Sequence, residues 1–372
     1  MGLSPPKIDD EFRSKFNFPK VELHLHLDGA VRHSTLLELS QQKHMDLKGA
    51  KTVEDVKRLL VCHEPANLDK VLSAFDIFLP IIRGDIVAIE RVAYELCEDQ
   101  KENGVVYFEA RYSPHLLSNH ILGEFVSEEV YKSGGEVTPL NVVEAIHRGF
   151  ERGKKDFDVD ARSILCCIRG HESWTDEVLE MATNLRHLGV VAIDVAGCSG
   201  GADEQYEPCV IQVFKEAEKR GIHRTVHAGE SGGPREVVLA IEEMKAERIG
   251  HGYRLLRDPE SYHRYAIEKK IHFEGCPYSS VMTGAVSLDW TTHPIIQWVK
   301  DGVSFSINTD DPTCFDNTIL TDMCIVHDEI RIPMEVVWKT QYDAAQATFL
   351  PEDEKAKLVE LILKHKPPNV VV

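Results

Sequence analysis

The stretch Thr225-Val226-His227-Ala228-Gly229-Glu230 joins a β-type run to two groups that can do chemistry. A Val-rich run bounded by glycine is typical of a strand, so we expect His227 at the carboxyl end of one and Glu230 on the loop beyond it. In α/β enzymes the catalytic groups lie at such strand ends. Taken alone, the pair is more often a hydrogen-bonded core histidine and a helix-terminal carboxylate. The residues at the other strand ends must therefore decide between a catalytic and a structural role for this pair.

Seven further β-type runs flank this one, and amphipathic segments with helical spacing separate them. The eight runs are Lys20–Leu27, Gly104–Tyr112, Arg162–Ile168, Val190–Val195, Ile222–Ala228, Glu247–Gly252, Lys270–Cys276 and Val303–Thr309. Strands that alternate with helices pair in parallel, and eight such units close into a barrel. The sequence therefore predicts an α/β protein with a (β/α)8 TIM-type barrel, as a single domain over residues 1–372.

The first two strands lie unusually far apart, from Asp28 to Asn103, although a crossover helix needs far less chain. We expect extra helices after the first strand, at about residues 30–100, over the carboxyl mouth of the barrel. Leu68, Val71 and Phe75 follow the i, i+3, i+7 spacing of one helix face, which we predict to be a lid on a flat ligand. The alternative is that this face packs on the barrel wall as ordinary core.

Composition limits the classes of partner. The chain has 372 residues, 43% hydrophobic and 28% charged, and a formal net charge of −19, which is typical of a soluble globular protein. No cluster of Lys and Arg interrupts the acidic balance, so a nucleic acid is excluded as the expected partner. A small neutral or cationic ligand fits better.

The amino terminus has charges where a signal peptide needs an apolar core, and Pro6 stands where myristoylation requires Ser or Thr. No apolar run has the length of a membrane span. The nine cysteines lack paired spacing, which favours reduced thiols. We therefore expect a cytoplasmic protein without a membrane partner. A monomer is the expectation, and protein partners stay open.

Polar groups mark four of the eight strand ends, which meet on one face of a barrel. They are His24-Leu25-His26-Leu27-Asp28-Gly29, His227, Gly250-His251-Gly252 and Asn308-Thr309-Asp310-Asp311-Pro312. The period of two places His24 and His26 on the same side of the first strand. Because 18 histidines produce roughly one His-x-His by chance, that pair alone is weak. The set of four is hard to explain as packing.

Three imidazoles and one carboxylate suit zinc, whereas calcium and magnesium prefer oxygen ligands throughout. We assign one zinc ion per chain to His24, His26, His227 and Asp310. The groups left over are Glu230, His251 and Asp311, and this surplus indicates catalysis because a structural zinc site needs no acid or base beside it. Zinc lowers the pKa of a bound water and so provides a hydroxide nucleophile.

These motifs, in this order, closely resemble the adenosine deaminases of the amidohydrolase superfamily. The resemblance runs from about residue 20 to 355. It also includes Arg111-Tyr112-Ser113-Pro114, Arg162 to Cys167, Ala192 to Gly197 and Cys276-Pro277-Tyr278-Ser279-Ser280. The cytidine-type deaminase pattern is absent from the sequence, because Pro208-Cys209 is followed by Gln212 where a second cysteine belongs.

The resemblance implies hydrolysis of adenosine and 2′-deoxyadenosine at purine C6, which yields inosine or 2′-deoxyinosine and ammonia. It supports the same four metal ligands. It implies that Glu230 protonates a ring nitrogen, that His251 orients and deprotonates the attacking water, and that Asp311 holds the attacking oxygen. Such a role requires a raised pKa at Glu230. The residues implied to contact the purine nucleoside are His26, Asp28, Gly197, Asp311, Leu68, Val71 and Phe75.

Three positions depart from the family pattern. Cys198 and the following residues to Ala202 stand where the family usually has Asp after the glycine of the fourth strand. Val71 replaces an aromatic residue, and Tyr278 replaces a common tryptophan. None of these is a predicted ligand or acid-base group. We expect altered affinity rather than lost activity.

Other functions stay open. A two-metal amidohydrolase generally needs a lysine at the end of strand four, and Val190 to Gly197 contains none. A catalytically inactive nucleoside-binding relative is a second alternative, disfavoured because the ligands, acid and base are all present. A third is a deaminase of adenine, AMP or an N6-substituted nucleotide. Asp28 beside the ribose would repel a phosphate, and members that act on free adenine tend to carry Glu there.

Overall fold

The computed structural model describes residues 4–120, 135–197, 205–368 and 370. Eight strands form one sheet in the order of the chain, and every neighbouring pair is parallel. The strands are β1 (Lys20–His26), β2 (Val105–Tyr112), β3 (Asp160–Ile168), β4 (Val190–Ala196), β5 (His223–Ala228), β6 (Arg248–His251), β7 (His272–Gly275) and β8 (Phe305–Ile307). The predicted α/β barrel and all eight predicted strands are confirmed.

The barrel closes between its last and first strands just beyond the end of β8. Asp310 N donates to His24 O at 3.1 Å, and His26 N donates to Asp310 O at 2.9 Å. Asp310 also forms an isolated parallel bridge with Leu25. Closure therefore places Asp310 directly beside the two histidines of β1.

Helices surround the sheet. They are α1 (Asp10–Lys15), α2 (His33–Gln42), α3 (Val53–Leu60), α4 (Leu68–Leu72), α5 (Phe75–Ile82), α6 (Ile86–Glu102), α7 (Pro114–Leu117), α8 (Pro139–Phe157), α9 (Thr175–Asn184), α10 (Pro208–Lys219), α11 (Pro234–Glu242), α12 (Pro259–Tyr262), α13 (Pro277–Met282), α14 (Ile295–Asp301), α15 (Pro312–Phe315), α16 (Ile319–Cys324), α17 (Met334–Ala347) and α18 (Glu352–Leu363). No helix in the described ranges is both long and apolar enough to cross a bilayer.

The apolar core lies between the strands and these helices, whereas the barrel interior is partly ionic. Phe108 and Val226 belong to the main hydrophobic cluster. Glu109 of β2 and Arg248 of β6 are buried and lie 2.6 Å apart. Because β2 and β6 are not neighbours in the sheet, this ion pair crosses the interior. A buried pair of this kind needs its hydrogen bonds satisfied, and Arg248 Nε donates to Glu274 at 2.7 Å.

The long connection after β1 contains five helices, α2 to α6. The last of them, α6, packs along α8 and against β2, as the crossover helix of a barrel does. The segment that carries Leu68, Val71 and Phe75 is not one helix, so that prediction was wrong. Asn67 caps the amino end of α4, and a turn at residues 73–74 separates α4 from α5. The segment therefore consists of two short helices rather than one continuous helix.

Candidate active site

Three imidazoles and a carboxylate converge at the carboxyl end of the barrel. His26 Nε2 lies 3.1 Å from His227 Nε2 and 3.4 Å from Asp310 Oδ1. His24 Nε2 lies 3.3 Å from the same carboxylate oxygen. Strand alternation places His24 and His26 on one side of β1, while His227 comes from β5 and Asp310 follows β8. The structure thus brings together all four predicted metal ligands.

The spacing of these atoms fits a metal ion. Bonds of about 2.0–2.1 Å in a tetrahedral zinc site separate the ligand atoms by about 3.3 Å. Burial lowers the pKa of both His26 and His227, which favours the neutral imidazoles that a metal requires. Among the described residues, potential ligand atoms fall into two overlapping groups, one of His24, His227, His251 and Asp310, the other of His26, Asp310 and Asp311. The cluster is therefore a buried His/Asp group capable of binding a metal.

His251 and Asp310 adopt left-handed backbone conformations, with φ of 65° and 70°. Non-glycine residues rarely adopt this conformation, and it costs roughly 1–3 kcal/mol when it is imposed. Ser279 Oγ donates to Asp310 Oδ2 at 2.6 Å and holds the carboxylate in place. The strained backbone turns both side chains inward, toward the histidine cluster.

A buried network behind the cluster orients two of its histidines. His24 Nδ1 lies 2.8 Å from Glu274 Oε2, and His227 Nδ1 lies 2.9 Å from Asp194 Oδ2. Arg111 bridges the two carboxylates, because it donates to Asp194 at 2.9 Å and to Glu274 at 2.7 Å. Carboxylates in this position fix the tautomer and orientation of a ligating histidine. Sequence reasoning assigned no role to these three residues, although a carboxylate inside an apolar strand, as at Glu274, was a signal.

The three remaining predicted groups line the same space. Burial, reinforced by the charge of Asp310, raises the pKa of Glu230 to about 8. His251 Nε2 lies 3.5 Å from Glu230 Oε2. Burial also raises the pKa of Asp311, again with a contribution from Asp310. In the described part of the chain, Glu230 Oε1, Asp311 Oδ1 and both ring nitrogens of His251 make no hydrogen bond. Unpartnered buried groups of this kind are ready to bind a ligand.

The chain packs tightly around Asp311. A Cβ atom on Gly29 would lie 1.9 Å from Asp311 Oδ1, so only glycine leaves room for that carboxylate. Asp28, the residue before Gly29, accepts a hydrogen bond from Ser113 N at 3.1 Å, and burial raises the pKa of Asp28 to about 7. The motif His24 to Gly29 therefore supplies two histidines, a buried carboxyl group and the space for Asp311.

A cavity of about 390 Å³ opens onto these groups. Its volume lies within the range of small-molecule sites. Its lining includes His26, Asp28, Leu68, Asp69, Leu72, Ser73, Phe75, Asp76, Leu79, Leu116, Ile168, Arg169, His171, Gly197, His227, Glu230, His251, Asp310 and Asp311. Val71 is absent from this wall, contrary to the predicted contact. It is 3% exposed and borders a separate groove. Leu72, one turn of α4 beyond Leu68, lines the cavity instead.

Comparison with known proteins agrees with this architecture. A family model described as adenosine deaminase matches residues 19–365. The chain belongs to the adenosine deaminase family. The adenosine deaminase of Bos taurus is 41% identical over 349 residues, which cover 94% of each chain. That of Danio rerio is 42% identical over 344 residues, which cover 92% of this chain and 94% of the relative.

A solved structure of similar fold is an amidohydrolase from Burkholderia ambifaria with bound zinc. It shares 22% identity and a TM-score of 0.80, over 98% of this chain and 95% of that one. At this identity the likeness shows the fold. In this member of the adenosine deaminase family, every predicted site residue except Val71 lies in the histidine cluster or on the cavity wall. The departure at Cys198 to Ala202 lies outside the described residues.

Proposed function

We propose that this chain hydrolyses adenosine and 2′-deoxyadenosine to inosine and 2′-deoxyinosine, with release of ammonia. One observation carries the proposal: Glu230, whose pKa burial raises to about 8, lines the same cavity as the buried His/Asp cluster. Relatives about 41% identical over nearly the whole chain, named adenosine deaminase, support it. The proposal extends to a single-domain, cytoplasmic monomer.

The proposal includes one zinc ion per chain, held by His24, His26, His227 and Asp310. His251 is the competing ligand, but its Nε2 lies 3.9 Å from Asp310, farther than those of His24 and His26. Glu274 and Asp194 would orient the ligating imidazoles. When bound, zinc supplies a water of lowered pKa as the nucleophile.

The chain's own residues would move the protons. Glu230, protonated at neutral pH, donates its proton to a ring nitrogen beside C6 and makes that carbon electrophilic. Burial lowers the pKa of His251, which leaves its imidazole neutral and able to accept a proton from the attacking water. Asp311 holds the attacking oxygen. The new C–O bond persists while the C6–N bond breaks. The amino group takes up the proton that His251 accepted and leaves as ammonia, and the remaining proton of the water returns to Glu230.

The wall of the cavity favours an uncharged nucleoside over a nucleotide. The exposed carboxylates Asp69 and Asp76 line it on the α4–α5 side. Arg169 is the lining arginine, and its guanidinium already donates to two carbonyl oxygens and to Glu236. A 5′-phosphate would therefore meet negative charge, while the apolar side chains Leu72 and Phe75 suit a flat purine.

A spectrophotometric assay with adenosine, 2′-deoxyadenosine, AMP and adenine tests the proposal. The expected result is turnover of the two nucleosides, with AMP and adenine slower, and about one zinc per chain by metal analysis. If adenosine is unchanged while AMP or adenine is deaminated, the substrate assignment is wrong. Two tightly held ions per chain would contradict the single-zinc site.

A further inference from the structure

The barrel has a gap in its backbone pairing between β4 and β5. Within residues 190–197 and 223–228, all of which are described, the register pairs are Ala192 with His223 and Ile193 with Arg224. The flanking ladders extend further, from β3 to β4 as far as Ile168 with Ala196, and from β5 to β6 as far as Ala228 with His251. The carboxyl halves of β4 and β5 are therefore joined by side chains rather than by a ladder.

Arg169, the residue after β3, spans this gap. Its Nη1 donates to Gly197 O at 2.7 Å, and its Nη2 donates to His227 O at 2.8 Å. Gly197 directly follows β4, and His227 is the last residue but one of β5. One planar guanidinium thus connects the ends of three consecutive strands, a geometry that the compact ammonium of lysine cannot reproduce.

Glu236 anchors that guanidinium from the side of α11. It accepts from Arg169 Nη2 at 3.0 Å and from Gly229 N at 2.8 Å, and its side chain is buried. A Cβ atom on Gly232 would lie 2.3 Å from Glu236 Oε2, so the loop after β5 wraps closely around this carboxylate. Glu230 follows Gly229 directly and is held by the same contact.

We propose that Arg169 and Glu236 form a positioning clamp that sets the separation between Gly197 and Glu230 across the β4–β5 gap. The inference rests on the proposed function, in which Gly197 and Glu230 face the purine. The clamp acts through the backbone, because its hydrogen bonds go to Gly197 O, His227 O and Gly229 N. General acid catalysis depends on hydrogen-bond reach, so a small widening of the gap is expected to slow the chemistry more than it weakens binding.

The test compares Glu236→Gln and Arg169→Lys with a second Arg–Glu pair at the other end of β3, whose arginine matches Arg169 in exposure. Arg162 has an exposed fraction of 17%, close to the 15% of Arg169, and it donates to Glu354 at 2.6 Å. The controls are therefore Glu354→Gln and Arg162→Lys. We expect the clamp variants to lose roughly 10- to 100-fold in kcat for adenosine, with KM within a few-fold and zinc content unchanged. The controls should keep wild-type kcat.

Two results would overturn the clamp: a Glu236→Gln enzyme with wild-type kcat, or an equal loss of kcat in Glu354→Gln. A crystal structure of Glu236→Gln separates this inference from the proposed function. A wider separation between Gly197 O and His227 O supports the clamp, and an unchanged one refutes it, even if the wild-type chain does not deaminate adenosine. In that last case the proposed function alone fails.

Discussion

Leu72 and Val71, neighbours in α4, allow the role of the helical insert to be measured. Leu72 lines the cavity, whereas Val71 is buried against a separate groove. Truncating each to Ala therefore removes apolar contact from a different place. If the insert covers the purine, Leu72→Ala should weaken substrate binding and Val71→Ala should weaken folding.

The structure sets the size of each effect. Leu72 is half-buried without ligand, so part of its isopropyl group remains to be covered by substrate. At about 0.8 kcal/mol per buried carbon, the loss of this group should weaken the binding free energy of the substrate by about 1–2 kcal/mol. That corresponds to a rise of about 5- to 30-fold in KM for adenosine. Val71→Ala removes methyl groups from a packed core and should lower the free energy of unfolding by about 1–3 kcal/mol, with KM unchanged.

The assay is steady-state kinetics with adenosine and urea unfolding, both on the same preparations, with zinc content as the control for an intact metal site. KM reports binding when chemistry is slow relative to substrate dissociation, so inhibition by inosine should be measured in parallel. The lid reasoning is refuted if Leu72→Ala loses stability but keeps wild-type KM. It is equally refuted if Val71→Ala raises KM as much as Leu72→Ala does.

Four further predictions concern the metal and the acid. His26→Ala opens the proposed zinc site, so metal analysis should show less than one zinc per chain and the activity should be mostly lost. Glu274→Gln removes the carboxylate behind His24 and should weaken zinc affinity by about 10- to 100-fold, measured by competition with a chelator. Glu230→Gln keeps the shape of the acid but not its proton, so kcat should fall by about 10²- to 10⁴-fold while inosine still binds. Because the pKa of Glu230 is raised to about 8, the acid is protonated at neutral pH, and wild-type kcat/KM should decrease as the pH rises through that value. Near-normal turnover in Glu230→Gln would show that the carboxylate is not the acid.

The sequence by itself determined the barrel and the groups at its mouth. Strands and their ends are local signals: a β-type run that carries polar side chains at or just beyond its carboxyl end. His24, His26, His227 and Asp310 each occupy such a position, and parallel strands bring their carboxyl ends together whatever the detailed packing. The cluster of histidines and Asp310 could therefore be predicted without any knowledge of distances.

Only the tertiary structure decided how these groups are supported. Arg111 and Glu274 are 163 residues apart in the chain, and Arg169 and Glu236 are 67 apart. No periodicity relates such partners, because their contact depends on the stagger of strands that are not neighbours in sequence. The same reason accounts for Val71: Leu68, Val71 and Leu72 all lie in α4, and helical spacing relates Leu68 equally to the residue at i+3 and the residue at i+4. Only the packing of α4 on the barrel decides that Leu68 and Leu72, four residues apart, face the cavity while Val71 is buried beside a separate groove.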